Sequence, residues 1–156
     1  WTPDYGPAHP HPSAGASVIG ARGPLVAFNV NLSSHDMDVA RDIARRVRDS
    51  GGGLPAVKAI AVRMLNPEHY GVQISINLTD YRQTPLAHII ATVAREATRC
   101  GVDVAGTELV GLIPADAIAG DALGTTVRDL IQPDQILEAR LACCERSRHL
   151  SPSAKP

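Results

Sequence analysis

Six histidines and one isolated glutamate are the residues of this chain best suited to chemistry. His9 and His11 alternate with prolines in HPHP. Two imidazoles without a third ligand nearby do not complete a metal site, and the proline backbone turns their rings in alternating directions. His35 and His69 stand at helix-start and turn positions, where histidines are usually exposed. His88 falls between the apolar stripe and the polar face of a predicted helix, and reads as a partly buried structural histidine rather than a catalytic one. Glu108 is the only acid in the strand-like run GTELVGLIP. A carboxylate there needs a partner or a ligand, unless it faces solvent at a sheet edge. Gly51, Gly52 and Gly53 could turn backbone N–H groups toward an anion, although their first duty is to end a helix. No Ser/His/Asp elbow, HExxH, P-loop or GxGxxG occurs. No catalytic or metal-binding set is complete, so neither a catalytic residue nor a metal is expected.

Composition narrows the class. The 156 residues suffice for one domain with a real core, and the net charge of −1 leaves no electrostatic surplus for a nucleic-acid partner. No apolar run approaches the roughly 20 residues of a membrane span, and no signal peptide opens the sequence. Cys100, Cys143 and Cys144 form neither a disulfide framework nor a CxxC pair, which suits a reducing compartment, and the cytoplasm is the expected location. The sequons at Asn31 and Asn77 lie in strand-like runs and are discounted.

Residues 1–15, WTPDYGPAHPHPSAG, are rich in proline and lack apolar periodicity, which predicts an extended segment outside the core. A regular order follows. Residues 25–32 read as a strand, and a helix begins at Ser34 as N-cap with an apolar stripe from Val39 to Val47. A strand at 57–64 turns through Asn66-Pro67 into the cleanest strand, where Val72, Ile74, Ile76 and Leu78 alternate with Gln73, Ser75 and Asn77. Thr84-Pro85 opens a second helix as N-cap and N1, and a fourth strand runs over 104–113. Weaker helices follow Pro114, the last at 133–144 with Ile136, Leu137 and Leu141 apolar.

The order β-α-β-β-α-β predicts an α/β fold, a ferredoxin-like sandwich with a four-stranded antiparallel sheet and added C-terminal helices. Right-handed crossovers put both helices on one face and make the first and third strands central neighbours. Asn29, Asn31, Gln73, Ser75 and Asn77 then share the opposite face, either as a ligand floor or as an ordinary solvent face. That face lacks the stacking aromatics of an RNA-binding sheet.

Read in order, WTPDYGP, GASVIGARGPLVAFNVNL, VQISINLTDYRQTPLAH and GTELVGLIP resemble the C-terminal half of the glutamate formiminotransferase domain, from Trp1 to about Ile118. The resemblance implies two similar α/β subdomains with a folate channel between them. It further implies transfer of a formimino group from N-formimino-L-glutamate to tetrahydrofolate, the acceptor substrate, in histidine breakdown. The family's folate-contacting stretch matches Gly6, Pro7, Ala8, His9, Pro10, His11, Pro12, Ser13, Ala14 and Gly15, and its loop after the first helix matches at Gly52. Ala14 stands where some relatives carry an aromatic residue, which implies backbone contact only. The family's catalytic histidine belongs to an N-terminal subdomain that would precede Trp1, and none of the six histidines here matches it.

The expected organisation is a proline-rich inter-subdomain segment at 1–16, the C-terminal subdomain at 17–150 and a tail at 151–156. A chain that begins at Trp1 is expected to start at the linker between subdomains and to be inactive alone. The full enzyme is expected to be a homodimer that meets formimino-glutamate through the other subdomain, with no nucleic-acid or membrane partner. Arg22, Arg63 and Arg82 could hold a polyglutamate tail or simply be solvated. The alternative is a non-catalytic ferredoxin-like module for small-molecule binding or dimerisation.

Overall fold

The computed structural model describes residues 2–65, 71–118 and 131–150, side chains of the last five excepted. Strands β1 (Val26–Leu32), β2 (Val57–Arg63), β3 (Val72–Leu78) and β4 (Val104–Val110) form one sheet in the order β2-β3-β1-β4. Helix α1 (Met37–Val47) joins β1 to β2 and α2 (Leu86–Arg99) joins β3 to β4. All pairs are antiparallel: Val26 to Leu32 face Leu78 to Val72, and Val57 to Arg63 run along the other edge of β3. The predicted ferredoxin-like arrangement is therefore found, with β1 and β3 at the centre.

Alternation explains the layers. Val26, Phe28, Val30 and Leu32 of β1, with Val72, Ile74, Ile76 and Leu78 of β3, are buried against Ile43 and Val47 of α1 and Ile89 and Val93 of α2. Both helices spend their apolar stripe on this face, so the alternate strand residues are left on the other.

Several local expectations change. Asp36, not Ser34, caps α1: its Oδ1 accepts from the amides of Asp38 at 2.8 Å and Val39 at 3.4 Å, while Ser34 Oγ accepts from the Asp36 amide. Thr84 does not cap α2, because its hydroxyl donates to the Pro55 carbonyl at 2.6 Å and ties the helix start to the loop before β2. Pro85 stands at the N-cap with no side-chain bond. His88 is exposed, on the outer side of α2 with Ala91 and Arg95. Gly111, at φ 80°, ends β4 before the predicted limit, and Ile113 is instead buried in a parallel bridge to Ile136. The predicted helix at 133–144 begins as a single 3-10 turn, Pro133–Gln135, and continues as α4 (Leu137–Leu150) after the short α3 (Ala115–Ile118). Leu141 is exposed rather than packed. The Asn66-Pro67 turn and His69 lie outside the described residues.

Among the described residues no helix is long and apolar enough to cross a membrane. Two surface carboxylates brace the helical layer. Asp42 accepts from Arg46 Nε at 2.8 Å and from Arg45, and the Arg46 hydrogen bond is the main reason its carboxyl is held below its ordinary value of 3.8. Asp116 accepts from Tyr81 Oη at 2.8 Å and Arg82 at 2.9 Å, with the same direction of shift led by the Tyr81 bond. A carboxyl lowered in the folded state contributes stability above its unfolded value and loses it as pH falls through the folded one. Unfolding midpoints should thus decline below about pH 4. In Asp42→Asn and Asp116→Asn that acid decline should be shallower, as read by denaturant titration between about pH 5 and pH 2.

Candidate functional site

The sheet face opposite α1 and α2 is built from three cross-strand rows. One runs Lys58, Asn77, Ala27, Val110; the next Ile60, Ser75, Asn29, Glu108; the third Val62, Gln73, Asn31, Gly106. Amides occupy the middle of the face, and Ile60 and Val110, both well exposed, stand at its edges.

The amides do not simply meet water. Gln73 and Asn31 are each only 5% exposed although α1 and α2 pack on the other side of the sheet. Gln73 Nε2 donates to Asn31 Oδ1 at 2.8 Å and to Glu108 Oε1 at 3.1 Å, and Asn29 Nδ2 donates to the same Glu108 oxygen at 2.7 Å. Glu108 therefore has one partner on the adjacent strand β1 and one on β3 beyond it, two amide donors on one carboxylate oxygen. That answers the need its sequence context raised.

The sheet ends at β2, and beside this free edge lies a cleft of about 690 Å³. Arg48, Ser50 and Lys58 line it together with Ile60, Ser75 and Asn77, so it opens onto the amide face. Its outer lip is the turn Asp49–Gly51 that follows α1, closed by Gly52 in the left-handed region at φ 81°. A Cβ on Gly51 would sit 1.8 Å from the Arg45 carbonyl oxygen, so the turn can pass α1 this closely only with glycine there. Ala56, on the opposite lip, has φ 61°. Its amide donates to Asp49 Oδ2 at 3.3 Å, and its carbonyl accepts from both Thr79 N and Thr79 Oγ1 at 2.9 Å.

The residues singled out from the sequence fall into two groups. Gly52 closes the cleft's lip, and Asn29, Asn31, Gln73, Ser75, Asn77 and Glu108 share the sheet face. Residues 6–15 form a separate exposed segment. Residues His11 and Gly15 exchange backbone hydrogen bonds of 3.0 and 2.9 Å, and His11 Nδ1 accepts from the amides of Ser13 and Ala14. Gly6 and Gly15 have φ of 90° and 70°. Among the described residues no hydrogen bond joins this segment to the sheet or to Gly52. Arg63 donates to the His35 carbonyl and Arg82 pairs with Asp116, while Arg22 reaches only the Gly23 carbonyl. Sequence reasoning missed Arg48, Ser50 and Lys58. The one available signal was Lys58, a lone lysine inside an apolar strand.

The formiminotransferase domain family matches residues 27–124 of this chain, which takes in the four strands apart from Val26, together with α1 and α2. The chain belongs to that family. It is 44% identical over 142 residues to the glutamate formimidoyltransferase of Streptococcus pyogenes serotype M1, covering 90% of this chain and 47% of that protein. A protein of the same name from Thermoplasma acidophilum is 44% identical over 118 residues, covering 76% of this chain and 38% of its own length. The formimidoyltransferase-cyclodeaminase of Dictyostelium discoideum is 38% identical over 149 residues, 91% of this chain and 27% of that protein. The chain thus spans about half, or less, of the length of these relatives.

The buried amide pair yields a stability test. Gln73→Leu keeps the volume but leaves the Asn31 acceptor without its donor. It should lower unfolding free energy by about 1–3 kcal/mol, measured by urea titration.

Proposed function

We propose that the chain is the folate-binding half of a glutamate formimidoyltransferase. In this reading the amide face is one wall of a channel in which tetrahydrofolate accepts a formimino group from N-formimino-L-glutamate, as a step of histidine degradation. The observation that supports it most is kinship over 142 residues with a protein of that name, coinciding with a sheet face, opposite α1 and α2, that carries amides and one carboxylate.

The division of labour follows from the chemistry. A folate nitrogen attacks the formimino carbon, a new C–N bond forms, and the bond from that carbon to the glutamate nitrogen breaks. The attacking nitrogen must lose a proton and the leaving nitrogen must gain one, which calls for a general acid/base at the reacting carbon. The amide face carries Asn, Gln and Ser side chains and one hydrogen-bonded carboxylate, and no histidine stands on it among the described residues. Amides bind and orient a ligand; they do not exchange protons near neutral pH. The proton-handling histidine is accordingly proposed to come from an N-terminal subdomain facing this wall. Residues 6–15 and Gly52 are proposed to touch the folate through backbone groups, with prolines keeping the segment extended at low entropic cost. The flat apolar margins at Ile60 and Val110 suit the edges of a ring system. Homodimerisation and a cytoplasmic location belong to the same proposal.

The test is a titration of the 156-residue chain with tetrahydrofolate, followed by addition of formimino-glutamate. Binding without turnover is expected. Formimino transfer by this chain with those two substrates alone, or no folate binding even at about millimolar ligand, would overturn the reading.

A further inference from the structure

The cationic groups of the chain are mostly neutralised by neighbours. Arg41 pairs with Asp38, Arg45 and Arg46 with Asp42, Arg82 with Asp116 and Arg99 with Glu96. Arg22, Arg48, Lys58, Arg63 and Arg140 have no such partner among the described residues, and of these Arg48 and Lys58 lie together. Neither makes an ion pair among the described residues, and both line the cleft at the β2 edge. The Arg48 backbone is held firmly, its amide donating to the Ala44 carbonyl and its carbonyl accepting from Gly51 and Gly53. Its side chain is not: Nε is buried and has no hydrogen-bond partner among the described residues. An unmet buried donor costs free energy that an arriving acceptor removes.

Other groups in the cleft sharpen what that acceptor would be. Asp49 is the acid on its rim, and Asp49 Oδ2 is already turned to the Ala56 amide. Ser50 and Asn77 add neutral hydrogen-bonding groups. Ala56 is a non-glycine residue at positive φ, fixed from both sides by Asp49 and Thr79, so the wall is held in one shape before any ligand enters. Two unpaired cations, one with an unmet Nε–H, match a carboxylate, which arginine takes side-on through two N–H groups.

We propose that this cleft is a glutamyl-carboxylate site, in which Arg48 and Lys58 receive the acidic end of a ligand whose remainder lies along the amide face. The proposal rests on the folate reading and adds to it the place where the acid is held. Two ligands of that reaction carry a glutamyl group, the folate acceptor and the formimino-glutamate donor, and the cleft's chemistry suits either.

Tetrahydropteroate, which keeps the ring system and lacks the glutamate, separates the contributions. The chain, Arg48→Gln and Lys58→Gln are titrated with tetrahydrofolate, tetrahydropteroate and formimino-glutamate, and urea midpoints check that each variant folds. Lys58 is exposed on an edge strand, so its variant reports even if the Arg48 change disturbs the turn. Each substitution should weaken tetrahydrofolate about tenfold and leave tetrahydropteroate unchanged. A loss confined to formimino-glutamate assigns the cleft to the donor's acid instead. Equal losses for tetrahydrofolate and tetrahydropteroate, or no loss with any ligand, overturn the proposal. If the unsubstituted chain binds neither pteroyl compound, the folate reading fails, and a γ-glutamyl tripeptide then decides on the cleft alone. A shift of the Arg48 Nε–H signal on adding it, absent in Lys58→Gln, supports the site, and no shift overturns it.

Discussion

The pairing of β1 with β3 is the constraint from which the rest of the structure follows. Seven residues of each strand stay in register without a break, and their even positions are all aliphatic or aromatic and buried. Once those rows are committed to α1 and α2, the odd positions have only one place to go. Asn29, Asn31, Gln73, Ser75 and Asn77 must crowd onto the opposite face, because a one-residue slip would exchange the two sets and bury amides against the helices. The polar floor and the hydrophobic core are two sides of a single pairing.

Such a floor is tolerable only if it satisfies itself. The Gln73–Asn31 bond spans the two central strands, and Glu108 on β4 gathers Gln73 and Asn29. The network fixes the side chains so that the face offers a defined set of donors and acceptors rather than a mobile polar layer. The edges of the sheet are treated differently. On the β4 side the chain seals the layer, with Ile113 bridged to Ile136 and Gln135 Nε2 donating to the Leu109 carbonyl at 3.1 Å. On the β2 side nothing comparable covers the strand among the described residues, and the turn after α1 overhangs it to leave the cleft.

Periodicity carried most of the fold. The strict alternation of residues 72–78 and the apolar stripes of two helices were enough to order the elements, and handedness then placed β1 beside β3. Sequence reading went astray where a distant partner decides. Thr84 has the right type to cap a helix but is drawn off by the Pro55 carbonyl, 29 residues away. Ile113 looked like the end of a strand because its burial against Ile136 depends on the C-terminal turn. The site divides in the same way. Each member of the amide face was visible as an odd-position polar residue, whereas the cleft joins the end of α1, the start of β2 and the middle of β3, and no local pattern announces it. Residues 6–15 were noticed through family resemblance, and among the described residues their hydrogen bonds run only to one another.

Backbone amide signals of the chain during a tetrahydrofolate titration give the most direct test of the proposed channel wall. Perturbations are expected on the odd positions of β1 and β3, on Lys58 and the Asp49–Gly51 turn, and in residues 6–15. Perturbations confined to the exposed sides of α1 and α2, with the amide face silent, would contradict the proposed wall.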